Sequence, residues 1–211
     1  LELEVPQEGM TINYSYQIEQ NGIVIRKEWD SFSRSIFLSG SSRKIYRIND
    51  CWKNIPEQLY LYSSAFTEAL LAHPEKENIP QRYKKGLVIK AYAPRINKDY
   101  CLAICGNQKS LAHWDPEKAV LMSDTNFPEW QIELDASKLK YPLEYKFILY
   151  NKQEKKADCW EKNPNRYLAD PELKTNETLV ISDRYVYFDI PAWKGAGIAI
   201  PVFSLKSEKS F

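Results

Sequence analysis

Leu143-Glu144-Tyr145-Lys146-Phe147-Ile148-Leu149-Tyr150 is a short apolar and aromatic run that reads as a β-strand. Runs of the same kind precede it at Leu87 to Tyr92, Tyr100 to Cys105, Ala119 to Met122 and Trp130 to Leu134, and one follows at Leu179 to Phe188. Six short strands with turn signals between them and no helices predict an all-β fold, a compact antiparallel β-sandwich of roughly 100 residues.

Further out, Thr11 to Ile48 alternates in short runs: Ile12-Asn13-Tyr14-Ser15-Tyr16, Ile23-Val24-Ile25 and Ser35-Ile36-Phe37-Leu38, broken by Asn21-Gly22 and Gly40. These predict strands, with a hairpin at Asn21-Gly22. Asp50 to Pro56 reads as loop. Ser63 to Ala72 sets Phe66, Ala69 and Leu70 at helical spacing behind serines that can cap a short helix. His73 to Lys85 is polar and carries Pro74 and Pro80, the composition of a linker. The expected organisation is a first unit over residues 1–75 ending in the helix, a linker over 76–86, a complete sandwich over 87–190, and at 191–211 the opening of something further. Tyr14-Ser15-Tyr16 followed by Glu28-Trp29 and Arg34 echoes Tyr145-Lys146-Phe147 followed by Trp160-Glu161 and Arg166. A truncated first copy ahead of a complete second copy accounts for the echo.

Composition narrows the partners. The 29 Lys and Arg against 28 Asp and Glu leave no field to draw in nucleic acid or an anionic membrane, and no apolar run is long enough for a membrane helix. Aromatic residues make up 13% of the chain, with six Trp and fourteen Tyr. Exposed rings suit neutral ligands with apolar faces and hydroxyl rims, such as sugars, although rings filling a sandwich core account for the same number. Cys51, Cys101, Cys105 and Cys159 lack the spacing of a zinc site. They are expected to be free thiols in a reducing, cytoplasmic setting. The chain opens on Leu1 rather than Met, so the natural start is expected to lie upstream.

Catalytic patterns are missing from the sequence. His73 and His113 lie forty positions apart with no Cys or carboxylate pattern beside them, and no phosphate loop, nucleophile elbow or zinc-protease helix occurs. Gly195-Ala196-Gly197 does not follow a strand. Asn13-Tyr14-Ser15 and Asn176-Glu177-Thr178 fit a glycosylation pattern too short to decide anything. A glycosidase needs two facing carboxylates in a cleft, whereas scattered Asp and Glu in a domain this small read as solvated surface. No cofactor or metal is expected.

Several unrelated blocks then follow in a fixed order: Gly106-Asn107, Leu111-Ala112-His113-Trp114-Asp115, Lys118-Ala119-Val120, Pro128-Glu129-Trp130, Glu144-Tyr145-Lys146-Phe147, and Trp160-Glu161-Lys162-Asn163-Pro164-Asn165-Arg166. In order and spacing they resemble the immunoglobulin-like starch-binding domain of carbohydrate-binding module family twenty, from about Leu87 to Ile190. The resemblance implies sugar rings stacked on Trp114 and Trp160, hydroxyls bonded by Lys146 and Asn165, and a rim completed by Glu161. Trp130 is implied to be core. α-1,4-linked glucose curves, so two splayed rings fit consecutive glucoses better than a flat platform does. The family's second site uses tyrosines where this chain has Lys98 or Asp99 and Asp124-Thr125-Asn126, so that site is not expected. In the first unit Ser15 stands where the lysine would be and Trp29 has no stacking partner.

The tail from Trp193 to Leu205 resembles the opening of an amylomaltase domain, a 4-α-glucanotransferase of the disproportionating type. A (β/α)8 barrel needs about 250 residues, so the catalytic acids are expected outside this chain. The resemblance implies partners such as starch, glycogen, maltodextrin or cyclodextrin, and packing of these modules on their own catalytic domain. A hydrolase as parent, or a degenerate sandwich used for protein interaction or dimerisation, are the alternatives.

Overall fold

The computed structural model describes residues 3–28, 34–40, 44–52, 79–93, 96, 98–183, 186 and 188. Trp29, His73, the predicted helix at Ser63 to Ala72 and the tail from Trp193 lie outside them. Thirteen strands run through the described residues. They are β1 (Met10–Tyr14), β2 (Gln17–Gln20), β3 (Ile23–Lys27), β4 (Arg34–Leu38), β5 (Ile45–Asp50), β6 (Lys85–Tyr92), β7 (Tyr100–Gly106), β8 (Val120–Leu121), β9 (Glu129–Asp135), β10 (Leu143–Asn151), β11 (Lys156–Trp160), β12 (Arg166–Leu168) and β13 (Glu177–Ser182).

Two sheets make the sandwich, one ordered β11-β10-β7-β8 with β12 also on β10, the other β5-β13-β6-β9. Between them lies a core that includes Leu87, Ile89, Leu102, Ile104, Phe147 and Leu179. Trp130 is buried in it and donates its indole N–H to the Ala93 carbonyl at 3.1 Å. The fold is all-β and mostly antiparallel, as expected. The exception is β13, which pairs in parallel with both β5 and β6. The strand expected to reach Phe188 ends at Ser182, and the Asp183 side chain beyond it bonds to Tyr145 and Arg166.

Neighbouring residues on a strand face opposite sides of its sheet. Leu87, Ile89 and Leu179 face the core just described, while Val88 and Val180 face away from it and pack with Ile36 and Leu38 of β4. That second core also takes in Met10, Ile12, Tyr46 and Ile48. The sheet β5-β13-β6-β9 is therefore the middle of three layers, with β1 and β4 on its far side. Each valine so buried contributes about 1.5–3 kcal/mol, and a sheet covered on both faces tolerates the near-continuous apolar run Leu87-Val88-Ile89. The two units meet in this sheet, joined by far more than their linker.

The echo between them extends to single hydrogen bonds. Phe147 and Glu161 exchange a backbone bond (Glu161 N to Phe147 O, 3.0 Å), as Tyr16 and Glu28 do (Glu28 N to Tyr16 O, 2.9 Å). Tyr145 sits opposite Arg166 as Tyr14 sits opposite Arg34. The β10–β11 ladder slips register between Leu149 and Tyr150, and the β2–β3 ladder slips at the matching step, between Ile18 and Glu19. At the tip of the latter hairpin Asn21 and Gly22 have φ of 52° and 78°, the left-handed pair that an Asn-Gly two-residue turn supplies.

Candidate functional site

Trp160 ends β11 opposite Ile148 of β10. Lys146, two residues back along β10, shares that outward face, and it lies opposite Cys105 of β7. Gly106 lets β7 come this close to β10, since a Cβ there would stand 2.3 Å from the Glu144 carbonyl oxygen. Trp160 keeps 36% of its surface exposed. Its ring centroid is 6.1 Å from that of Trp114, with the two planes inclined at 46°. The two expected tryptophans thus form one splayed wall, with Lys146 on the same face.

Trp114 reaches that wall on an uncommon backbone. Ala112, His113 and Trp114 have φ of 63°, 49° and 61°, a left-handed run that L-residues adopt at a cost. Leu111, fully buried, pins one side of the turn. Gln108 holds the other. Its carbonyl accepts the N–H of Leu111 at 2.8 Å and that of His113 at 3.0 Å, and its side-chain amide bonds the Lys140 backbone in both directions, at 2.9 and 3.0 Å. Sequence reasoning missed Gln108, because a polar residue beside Asn107 reads as plain loop. Asn165 stands exposed in the turn between β11 and β12.

Glu161 is not on the rim, which corrects the role the resemblance gave it. It is 2% exposed, and its carboxylate accepts the Phe147 N–H at 2.8 Å, the Asn163 amide at 3.1 Å and the Arg166 guanidinium at 2.9 Å. A carboxylate this enclosed has no lone pair facing a ligand. Arg166 also reaches Asp183 at 3.4 Å and lies 4.8 Å from the Phe147 ring, while the Tyr145 hydroxyl donates to Asp183 at 2.7 Å. Burial, reinforced by Asp183, lifts the Tyr145 hydroxyl well above its usual range, and burial raises the Asp183 carboxyl despite Arg166. The cluster ties the ends of β11, β12 and β13 to β10 directly behind Trp160 and Lys146. It is a clamp, and the site rests on it.

The first unit has the same clamp. Arg34 pairs with Glu28 and with Asp50 (3.1 Å), Tyr14 donates to Asp50 at 2.8 Å, and the Tyr16 N–H donates to Glu28 at 3.3 Å. With Glu28 at the place of Glu161, Lys27 rather than Trp29 occupies that of Trp160, opposite Gln17 as Trp160 is opposite Ile148. Ser15 occupies that of Lys146. The recurrence of Tyr, Glu and Arg in a segment that keeps neither the ring nor the amine was the sequence signal that these residues serve the fold.

Residues 88–180 match the family model CBM_20, described as a starch binding domain. The chain is related to a glucan-transferring enzyme: it is 24% identical over 220 residues to the 4-alpha-glucanotransferase DPE2 of Oryza sativa subsp. japonica, a match covering 95% of this chain and 22% of the relative. The chain therefore spans about a fifth of that relative's length. Among solved structures, the family 20 module of the maltotetraose-forming amylase of Pseudomonas saccharophila is similar at 18% identity, over 46% of this chain and 99% of that one, with a TM-score of 0.38. The glycoside hydrolase family 15 glucoamylase of Hypocrea jecorina is similar at 19% identity, over 53% and 19% of the two chains, with a TM-score of 0.41.

Proposed function

We propose that the outward face of β10 and β11 holds an α-1,4-glucan, with two consecutive glucoses on Trp114 and Trp160 and their hydroxyls bonded by Lys146 and Asn165. The observation that carries this reading is the pair of rings 6.1 Å apart at 46°. A flat pair would suit a straight chain, and a buried pair would suit a core. The inclination fits a curved polymer whose sugars present apolar faces in turn.

The chain binds and does no chemistry of its own. In the longer protein its role is to hold starch or a related glucan near a 4-α-glucanotransferase domain, raising the local concentration of polymer without touching the reaction. The first unit serves by packing, since its core is shared with Val88 and Val180 while Ser15 and Lys27 replace the site residues. Four free thiols, two of them buried, fit a cytoplasmic setting. The test is to pass the 211-residue chain over insoluble starch and to incubate it with maltotriose and amylose. Retention with unaltered sugars is expected, and new oligosaccharides on chromatography would overturn the non-catalytic reading.

A further inference from the structure

Tyr167 is the most exposed of the described aromatic residues, at 65%, and the site above does not use it. It lies on β12 directly opposite Glu144 of β10. Residues opposite each other in an antiparallel pair share a face, and Glu144, Lys146 and Ile148 alternate along β10 onto one side. Since Ile148 faces Trp160 across the same edge of β10, Tyr167, Glu144, Lys146 and Trp160 share one outward surface. Four strand residues separate the registers of Tyr167 and Trp160, about 13 Å at the usual rise. One sugar ring cannot bridge that distance, whereas a short run of linked glucoses can.

The neighbours of Tyr167 show that its exposure is particular to this position. Arg166 beside it turns inward to the clamp, and Leu168 packs against the core. An exposed phenol ring presents an apolar face with one polar tip, the form a sugar surface matches. The first unit supplies an independent comparison. Ser35 stands at the position of Tyr167, opposite Asn13 as Tyr167 is opposite Glu144. The outward groups Trp160, Lys146, Tyr167 and Glu144 are replaced there by Lys27, Ser15, Ser35 and Asn13, while the inward clamp is kept.

We infer that Tyr167 is an additional glucan subsite, stacking a glucose several units along from the Trp114–Trp160 wall, so that this surface favours α-1,4-glucans long enough to span both. The inference rests on the proposed binding function, and the two are separated by ligand length. Maltotriose and maltoheptaose are titrated into the 211-residue chain, into Tyr167→Ala, Tyr167→Phe and Tyr167→Ser, and into Trp160→Ala. Tyr167→Ala and Tyr167→Ser are expected to weaken maltoheptaose about three- to tenfold and to leave maltotriose binding and the melting transition unchanged. Tyr167→Phe, which keeps the ring, should bind both sugars as the parent does. Unchanged maltoheptaose binding, or an equal loss for both sugars, in Tyr167→Ala overturns the subsite while leaving the ring wall intact. If Trp160→Ala binds both sugars normally, the site itself is misplaced and the subsite falls with it.

Discussion

Glu28, Arg34, Asp50 and Tyr14 make in the first unit the contacts that Glu161, Arg166, Asp183 and Tyr145 make in the second, down to the backbone bond between the glutamate and the strand beside it. The two clamps belong to units whose cores lie on opposite faces of one sheet. Outward of the clamp the units part company: Lys27 and Ser15 stand at the positions that Trp160 and Lys146 hold in the second unit. The difference separates two kinds of residue that a single module would confound. What recurs in both units builds the fold, and what appears in one marks the proposed glucan site. Glu161, adjacent to Trp160 of that proposed site, falls on the fold side of that division.

The largest effect that can break the comparison comes from the clamp arginines. Arg166→Met strands the buried carboxylates of Glu161 and Asp183, and removing one partner of a buried pair typically costs about 3–5 kcal/mol. Arg34→Met strands Glu28 and Asp50 in the same way. Both variants are expected to unfold at clearly lower denaturant concentration, measured by tryptophan fluorescence, while protein with Arg34→Met that remains folded keeps its glucan affinity. A loss of affinity in folded Arg34→Met would show that the first unit takes part in binding.

The shared sheet is tested next. Leu179→Ala opens the core on one face of β13 and is expected to cost about 2–5 kcal/mol. Val180→Thr buries a hydroxyl on the other face, at about 1–3 kcal/mol. If the middle layer couples both units, each change lowers one common unfolding transition. Two separate transitions, each answering to one substitution, would show that the units fold independently.

These couplings mark where the sequence stopped being legible. Most of the strands, the Asn21-Gly22 turn and the order of the family-like blocks are written in local pattern, whereas β11 and β12, which carry Trp160 and Tyr167, do not announce themselves as strands. The parallel pairing of β13 with β5 and β6 joins residues far apart in the chain, and no periodicity announces it. Leu87-Val88-Ile89 is apolar at every position, the mark of a strand covered on both faces, but short apolar runs do not say what covers them. The rim role that the resemblance implies for Glu161 fails for an electrostatic reason: its partner Arg166, five residues on, encloses the carboxylate.

A smaller effect concerns how Trp114 is presented. Ala112 holds φ of 63° without being glycine, so Ala112→Gly relieves strain and is expected to raise stability by about 1 kcal/mol in a melting experiment. Lowered stability would mean that the Ala112 methyl packs for more than its backbone costs. The smallest effect expected is none. Ser15→Lys with Lys27→Trp supplies only the counterparts of Lys146 and Trp160 among the four groups proposed to hold the sugar, so titration with β-cyclodextrin should count the same number of sites as before. A gained site would show that one ring and one amine suffice.

The central claim is that glucan binding resides in the second unit alone, centred on its ring wall. Titrating β-cyclodextrin into the 211-residue chain and into Trp114→Ala and Trp160→Ala, with Trp130→Ala as a core control, tests it most directly. The account predicts about one site per chain, weakened about tenfold or more in each wall variant with the melting transition preserved, and a lowered melting transition in Trp130→Ala. Two sites of similar affinity in the parent, or unchanged binding in both wall variants, would contradict it.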